Sequence, residues 1–186
     1  MINIFFDMDG VLAEYRENCN EIDMQQEGYF ATLAPFWNVI NAFKKMYLSL
    51  KDRCVNVYVL TKVYPNTFKY SVNEKVLWKN QYMPFLSDEN FIMVDGEVLQ
   101  KSQAIKQKLG LDIDETCILI DDYNANLFEW QSNGGIAVKY VNGVNDKNKS
   151  FIGERLFYTM SSSQIYNEII NLMASIDVDV IKNSVA

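Results

Sequence analysis

The sequence predicts an α/β domain built on a mainly parallel sheet. Three observations predict it. Short apolar runs rich in Ile, Val and aromatics recur along the chain, segments of helical periodicity separate them, and acidic or hydroxyl residues stand where several runs end. Runs without strict alternation suit strands covered on both faces. Strands that alternate with helices make a parallel sheet. The 186 residues suffice for one domain with a substantial core, and 49% apolar with 13% aromatic residues is a globular composition.

The expected strands are residues 2–6, 55–60, 91–94, 117–120 and 136–140. Pro35 suits the first position of a helix that places Phe36, Ile40, Phe43 and Tyr47 on one face. Ser71 and Glu74 have capping-box spacing, ahead of Leu77, Trp78 and Tyr82. Ser102 is expected to cap a short helix that stops at Gly110. Residues 124–130 form a helical segment before the Gly134-Gly135 break, and Ser161 with Gln164 offers a second capping box before Ile165, Ile169, Leu172 and Ile176. Residues 178–186 read as an extension of that helix or a loose tail. About fifty residues separate the first two strands, more than one crossover helix needs. The expectation is a Rossmann-like three-layer sandwich, residues 1–13 and 51–186, with a small helical cap, residues 14–50, inserted after the first strand. An ordinary pair of crossover helices is the alternative for that insertion.

Composition narrows the function. A net charge of -7 argues against a binder of nucleic-acid polymers. No apolar run reaches the roughly 18 residues of a membrane span, and the N-terminus lacks a basic region followed by an apolar stretch. A soluble, cytoplasmic protein is therefore expected. Cys19, Cys54 and Cys117 form no CxxC pair and are expected to be buried free thiols. Histidine is absent, which excludes Ser-His-Asp and Cys-His catalysis and histidine metal sites. Acid-base chemistry would fall to carboxylates, lysines or tyrosines.

Asp7 and Asp9 follow the first apolar run, Thr61 and Lys62 the second, and Asp121 and Asp122 the run "CILI"; Lys101 stands where the helix before that last strand begins. In a parallel sheet these groups meet at the carboxyl edge, where ligands bind. Clustered carboxylates need a cation, and an oxygen-only donor set points to Mg²⁺. A lysine and a hydroxyl suit phosphate oxygens. The set therefore fits phosphoryl transfer, one aspartate attacking phosphorus and the other handling protons. Gly10 permits a sharp turn behind them. Taken singly, DxDG is a common turn and DD can be a helix cap. An EF-hand reading of "DMDG" fails for want of a further spacer residue and a flanking helix. The ordered combination is more specific.

With these motifs in place, the sequence resembles the haloacid dehalogenase (HAD) superfamily of phosphohydrolases. "FFDMDGVLAEY", "VYVLT", Lys101 and "CILIDDYNANL" match its four motifs over residues 2–127. "GYFATLAPFWNVINAFKKM", "LTKVYPNTFKYSVNEKVLWKNQYMP", and "LIDDYNANLFEW" followed by "GG" and "KYVNGVN" look like the 5'(3')-deoxyribonucleotidase family within it. The resemblance implies a Mg²⁺-dependent nucleotidase with Asp7 as nucleophile and Asp9 as general acid/base. It implies metal held by Asp7, Asp121 and the Asp9 carbonyl with Asp122 in support, and phosphate held by Thr61 and Lys101; Lys62, which stands where many members have Ser, is expected to add a phosphate contact. Lys101 precedes Asp121 by twenty positions, a long interval for the family, so Lys75 is expected to share the phosphate contact. Tyr15, Tyr29 and Phe30 match positions that place aromatics near base and sugar. The expected partner is a small phosphate ester, a nucleoside monophosphate first, with no nucleic-acid polymer, no membrane, and a homodimer as candidate assembly. The alternatives are a sugar phosphate or other small phosphoester, and a catalytically silent binding module on the same fold.

Overall fold

The computed structural model describes residues 1–16, 18–50, 53–144 and 150–184. Six strands form one sheet: β1 (Ile2–Phe6), β2 (Val55–Val63), β3 (Phe91–Asp95), β4 (Cys117–Asp121), β5 (Ile136–Val141) and β6 (Glu154–Phe157). Their order is β3-β2-β1-β4-β5-β6, and every pairing is parallel. β1, first in the chain, lies in the interior with all five residues buried. Its side chains alternate between two cores. Ile2, Ile4 and Phe6 face one layer, and Phe5 faces the other.

The helices are α1 (Glu21–Met24), α2 (Trp37–Ser49), α3 (Ser71–Tyr82), α4 (Lys101–Leu109), α5 (Asn124–Ser132) and α6 (Ser162–Ser184). α2 and α6 pack together on the Phe6 face, through Ile40, Phe43, Ile165 and Ile169. Ala104 and Ile105 of α4 and Trp130 of α5 close the Phe5 face. The result is the expected three-layer α/β sandwich.

Several local expectations change. β6 was not anticipated, because only Leu156 of its four residues is buried and no apolar run announces an edge strand. Pro35 stands outside α2, bridged to Ala13, and Phe36 takes the N-cap place. Gln103, not Ser102, secures the start of α4, its side-chain oxygen accepting from the Gln100 N–H at 3.0 Å; the Ser102 hydroxyl bonds Glu129. The Ser71–Glu74 capping box does not form. Ser71 Oγ accepts from the Tyr64 N–H at 3.3 Å, and Glu74 turns to a distant segment. Ser161 and Gln164 do form their box, and Gly110 ends α4 at φ 68°. The helix α6 runs through the start of the expected tail to Ser184, and residues 185 and 186 lie outside the described residues.

The insertion after β1 divides. α2, expected within the cap, belongs to the core layer. Before α2, the insertion carries α1, one turn capped by Asn20, and a 3-10 turn at Phe30–Thr32. The three thiols are free, but only Cys117 is buried; Cys19 is half-buried and Cys54 exposed. Cys54 has φ 56°, a left-handed conformation that costs an L-residue about 1–2 kcal/mol. Cys54→Gly should therefore stabilise the fold by up to about 1 kcal/mol once glycine's entropy cost is deducted. A urea midpoint raised at unchanged slope is the expected reading.

Candidate active site

The site forms where β1, β2 and β4 end. The Asp7 N–H still donates to Ile120 O at 2.9 Å, so β4 fixes its backbone. The chain then turns tightly: Met8 O accepts from Leu12 at 2.9 Å and Ala13 at 2.8 Å. Gly10 sits in this turn at φ 80°, and a Cβ there would lie 2.2 Å from Asp122 Oδ2. Only glycine lets the turn pass so close to the carboxylate.

Two lysines organise the carboxylates. Lys101, fully buried at the start of α4, donates to Asp7 Oδ1 at 2.8 Å and to Asp121 Oδ2 at 2.7 Å. Lys75, buried on α3, donates to Asp9 Oδ2, to Thr61 Oγ1 at 2.8 Å and to Lys62 O at 2.6 Å. Lys62 thus lends Lys75 its carbonyl, while its own ammonium reaches Gln100 Oε1 at 3.1 Å. Burial, then the neighbouring Lys101 charge, lowers the Lys62 pKa. The other oxygen of Asp9, Oδ1, is buried with no hydrogen-bond partner among the described residues.

Residues absent from the sequence-based set complete the frame. Asp121 accepts from the Tyr123 N–H at 2.8 Å and from Asn126 Nδ2 at 3.0 Å. Asp122 Oδ2 accepts from Asn142 Nδ2 at 2.9 Å, and the same amide reaches Gly10 O at 2.9 Å. Lys139, buried in β5 and paired in register with Asp121, donates to Asn124 Oδ1 at 2.9 Å and to the Asp122 carbonyl. A lysine inside the apolar run "IAVKYV" was a readable sign of it.

Electrostatics identify what the cluster lacks. Asp7, Asp121 and Asp122 each present an oxygen within 4.8 Å of the others. Burial pushes the Asp7 carboxyl up to about 7; Lys101 opposes the rise, and the Asp121 and Asp9 charges add to it. Burial costs Lys101 something too, but the Asp121 and Asp7 charges hold its pKa above the usual lysine range. Lys101 is thus bonded to both Asp7 and Asp121, and Lys75 to Asp9. An all-oxygen donor set fits a hard divalent cation such as Mg²⁺.

The aromatic residues divide. Tyr15 is half-buried beside the cluster, and burial followed by the Asp9 and Asp122 charges raises its phenol pKa. It borders a cavity of about 570 Å³ with Arg16, Phe36, Asn142 and Tyr158. Tyr29 and Phe30 are 3% and 5% exposed and pack edge-to-face, with ring centroids 4.9 Å apart. Both rings belong to the core cluster, and that burial stands against the stacking of a base expected of this pair.

The chain superposes on D,D-heptose 1,7-bisphosphate phosphatase from B. bronchiseptica, a complex with magnesium and phosphate, with a TM-score of 0.62 at 12% identity over 92% of this chain and 99% of that one. It matches a HAD hydrolase from Entamoeba histolytica with a TM-score of 0.58 at 13% identity over 94% and 100%. β-Phosphoglucomutase from Clostridium difficile gives 0.56 at 15% over 96% and 100%. The fold is that of HAD-superfamily hydrolases. At these identities the likeness concerns the HAD fold alone. No protein-family model matches the sequence, and no curated protein matches it. Among the described residues, no helix is long and apolar enough to cross a membrane.

The raised Asp7 pKa has a consequence for stability. Between pH 4 and 7 the unfolded chain releases this proton before the native chain does, so native metal-free protein binds more protons and loses stability as pH rises. Metal-free Asp7→Asn should therefore melt above the natural protein at pH 8, by on the order of 1–4 kcal/mol. The advantage should shrink as pH falls toward 4. Thermal melts in EDTA across that range check the sign.

Proposed function

We propose that the protein is a Mg²⁺-dependent phosphomonoesterase acting on a small phosphate ester, with a nucleoside monophosphate as the first candidate. The observation that carries the reading is the separation of Asp7 from Asp9. Asp7 lies among carboxylates and bonds Lys101, whereas Asp9 bonds Lys75 and keeps one buried oxygen without a hydrogen-bond partner among the described residues. Two aspartates in different surroundings can take different tasks.

Asp7 attacks phosphorus, an aspartyl phosphate forms, and the bond to the leaving oxygen breaks. Asp9 gives that oxygen a proton. Asp9 then takes a proton from water as the water attacks phosphorus, and the bond to Asp7 breaks. Thr61, Lys62, Lys75 and Lys101 hold the phosphoryl oxygens. Asp7, Asp121 and the Asp9 carbonyl would hold Mg²⁺, with Asp122 in support, and the ion supplies positive charge against the carboxylates and the phosphoryl group. Residues 14–34 act as the cap, and the cavity beside Tyr15 and Asn142 receives the leaving group.

A sugar phosphate is the second reading. The burial of Tyr29 and Phe30 favours it, because the cap offers no aromatic pair for stacking. The structural neighbours named as heptose bisphosphate phosphatases are in line with it.

Phosphate release from nucleoside monophosphates, sugar phosphates and p-nitrophenyl phosphate, with Mg²⁺ and with EDTA, tests both readings. Turnover should require the divalent cation. Asp7→Asn should abolish it in a folded protein, and Asp9→Asn should slow it about 10²–10⁴-fold while leaving the Mg²⁺-induced rise in melting temperature in place. Near-normal turnover by folded Asp7→Asn would remove the covalent mechanism.

A further inference from the structure

Glu74 is a buried carboxylate that the reaction above does not use. Its spacing from Ser71 suggests a helix cap, yet it caps nothing in its own helix. Both oxygens leave α3 for the cap: Oε1 accepts from the Gly28 N–H at 2.5 Å and Oε2 from the Phe30 N–H at 2.9 Å. Four residues on, Trp78 Nε1 donates to Leu33 O at 2.8 Å. One face of α3 therefore grips the cap backbone from residue 28 to 33.

The next residue is Lys75, which bonds Asp9, Thr61 and the Lys62 carbonyl. Its ammonium lies 5.2 Å from the centre of the Phe30 ring. The residue whose amide Glu74 holds is thus the residue whose ring covers Lys75. If Phe30 lifts, water reaches the ammonium, and the low-dielectric contacts that strengthen its bonds to Asp9 and Thr61 weaken.

We infer that Glu74 is a positioning residue: it clamps the Gly28–Phe30 backbone so that Phe30 seals Lys75 against Asp9 and Thr61. The cap and the proton-handling side of the site are then coupled through two adjacent residues of one helix. The catalytic consequence rests on the phosphomonoesterase reading; the clamp does not.

Glu74→Gln tests the clamp directly. An amide presents one acceptor where the carboxylate presents two, so one backbone N–H loses its partner. Brief acylation of the folded, metal-loaded protein with acetic anhydride, read by mass spectrometry, reports each lysine. Local opening should raise Lys75 labelling about tenfold or more, while Lys101 and Lys139 stay protected and Lys79, one turn along α3, keeps its natural reactivity. Glu74→Asp retains the charge with a shorter reach and should fall between the two. Unchanged Lys75 labelling overturns the clamp. So does a joint rise of Lys75 and Lys79, or of all buried lysines, in both variants, because Glu74 would then support the helix or the core at large.

A double-mutant cycle with Lys75→Met, on p-nitrophenyl phosphate with Mg²⁺, tests the coupling. Glu74→Gln alone should lower kcat about 10- to 100-fold, and it should cost little more once Lys75 is gone. Additive losses overturn the coupling. A natural protein without turnover on any phosphate ester would refute the phosphomonoesterase reading and leave the labelling result to decide the clamp.

Discussion

The ammonium of Lys101 between Asp7 and Asp121 is the contact on which the site depends. Neither the lysine nor Asp121 has any exposure, so these charges have left water and must satisfy one another. Removing the ammonium would leave two buried carboxylates facing one another, and the loss of such a partner typically costs about 3–5 kcal/mol. The contact also joins α4 to both β1 and β4, so it sets where the helix begins against the sheet edge. The negative charge it leaves unmet is the physical reason the same place suits a divalent cation.

Lys75 does different work. It reaches the site from the opposite layer, on a helix whose neighbouring side chains hold the cap. The two aspartates of one short turn are therefore governed from two sides: Asp7 by the sheet and α4, Asp9 by α3 and the cap. Gly10 between that turn and Asp122 keeps the two halves in contact range. This arrangement makes a division of chemical labour possible without histidine.

Much of the frame was legible because its signals are local. An apolar run that ends in acids marks β1 and β4 alike, and a burial requirement on both faces removes alternation from their sequences. The meeting of acids, a hydroxyl and a lysine at the strand ends followed from the parallel sheet. What escaped depends on partners far away in the chain. Glu74 carries the spacing of a helix cap, but its acceptors serve amides 44 and 46 residues distant. Tyr29 and Phe30 have the composition of a stacking platform, and only burial distinguishes that from packing. Lys75 and Lys101 competed for one role in the sequence, whereas in space each has its own aspartate. β6 was missed because an edge strand with one buried side chain has no pattern to read.

The interior position of β1 bears on how the molecule can be made. It is synthesised before both of its neighbours in the sheet, which come from residues 55–63 and 117–121. A growing chain must keep this mostly apolar strand soluble, with one edge open, until residue 121 has emerged. The constellation around Asp7 cannot exist on any earlier intermediate, since Lys101 and Asp121 arrive with that last partner. The carboxylate cluster is thus completed when β4 pairs with β1, and translation pauses before residue 121 would fall on the chain's most aggregation-prone form.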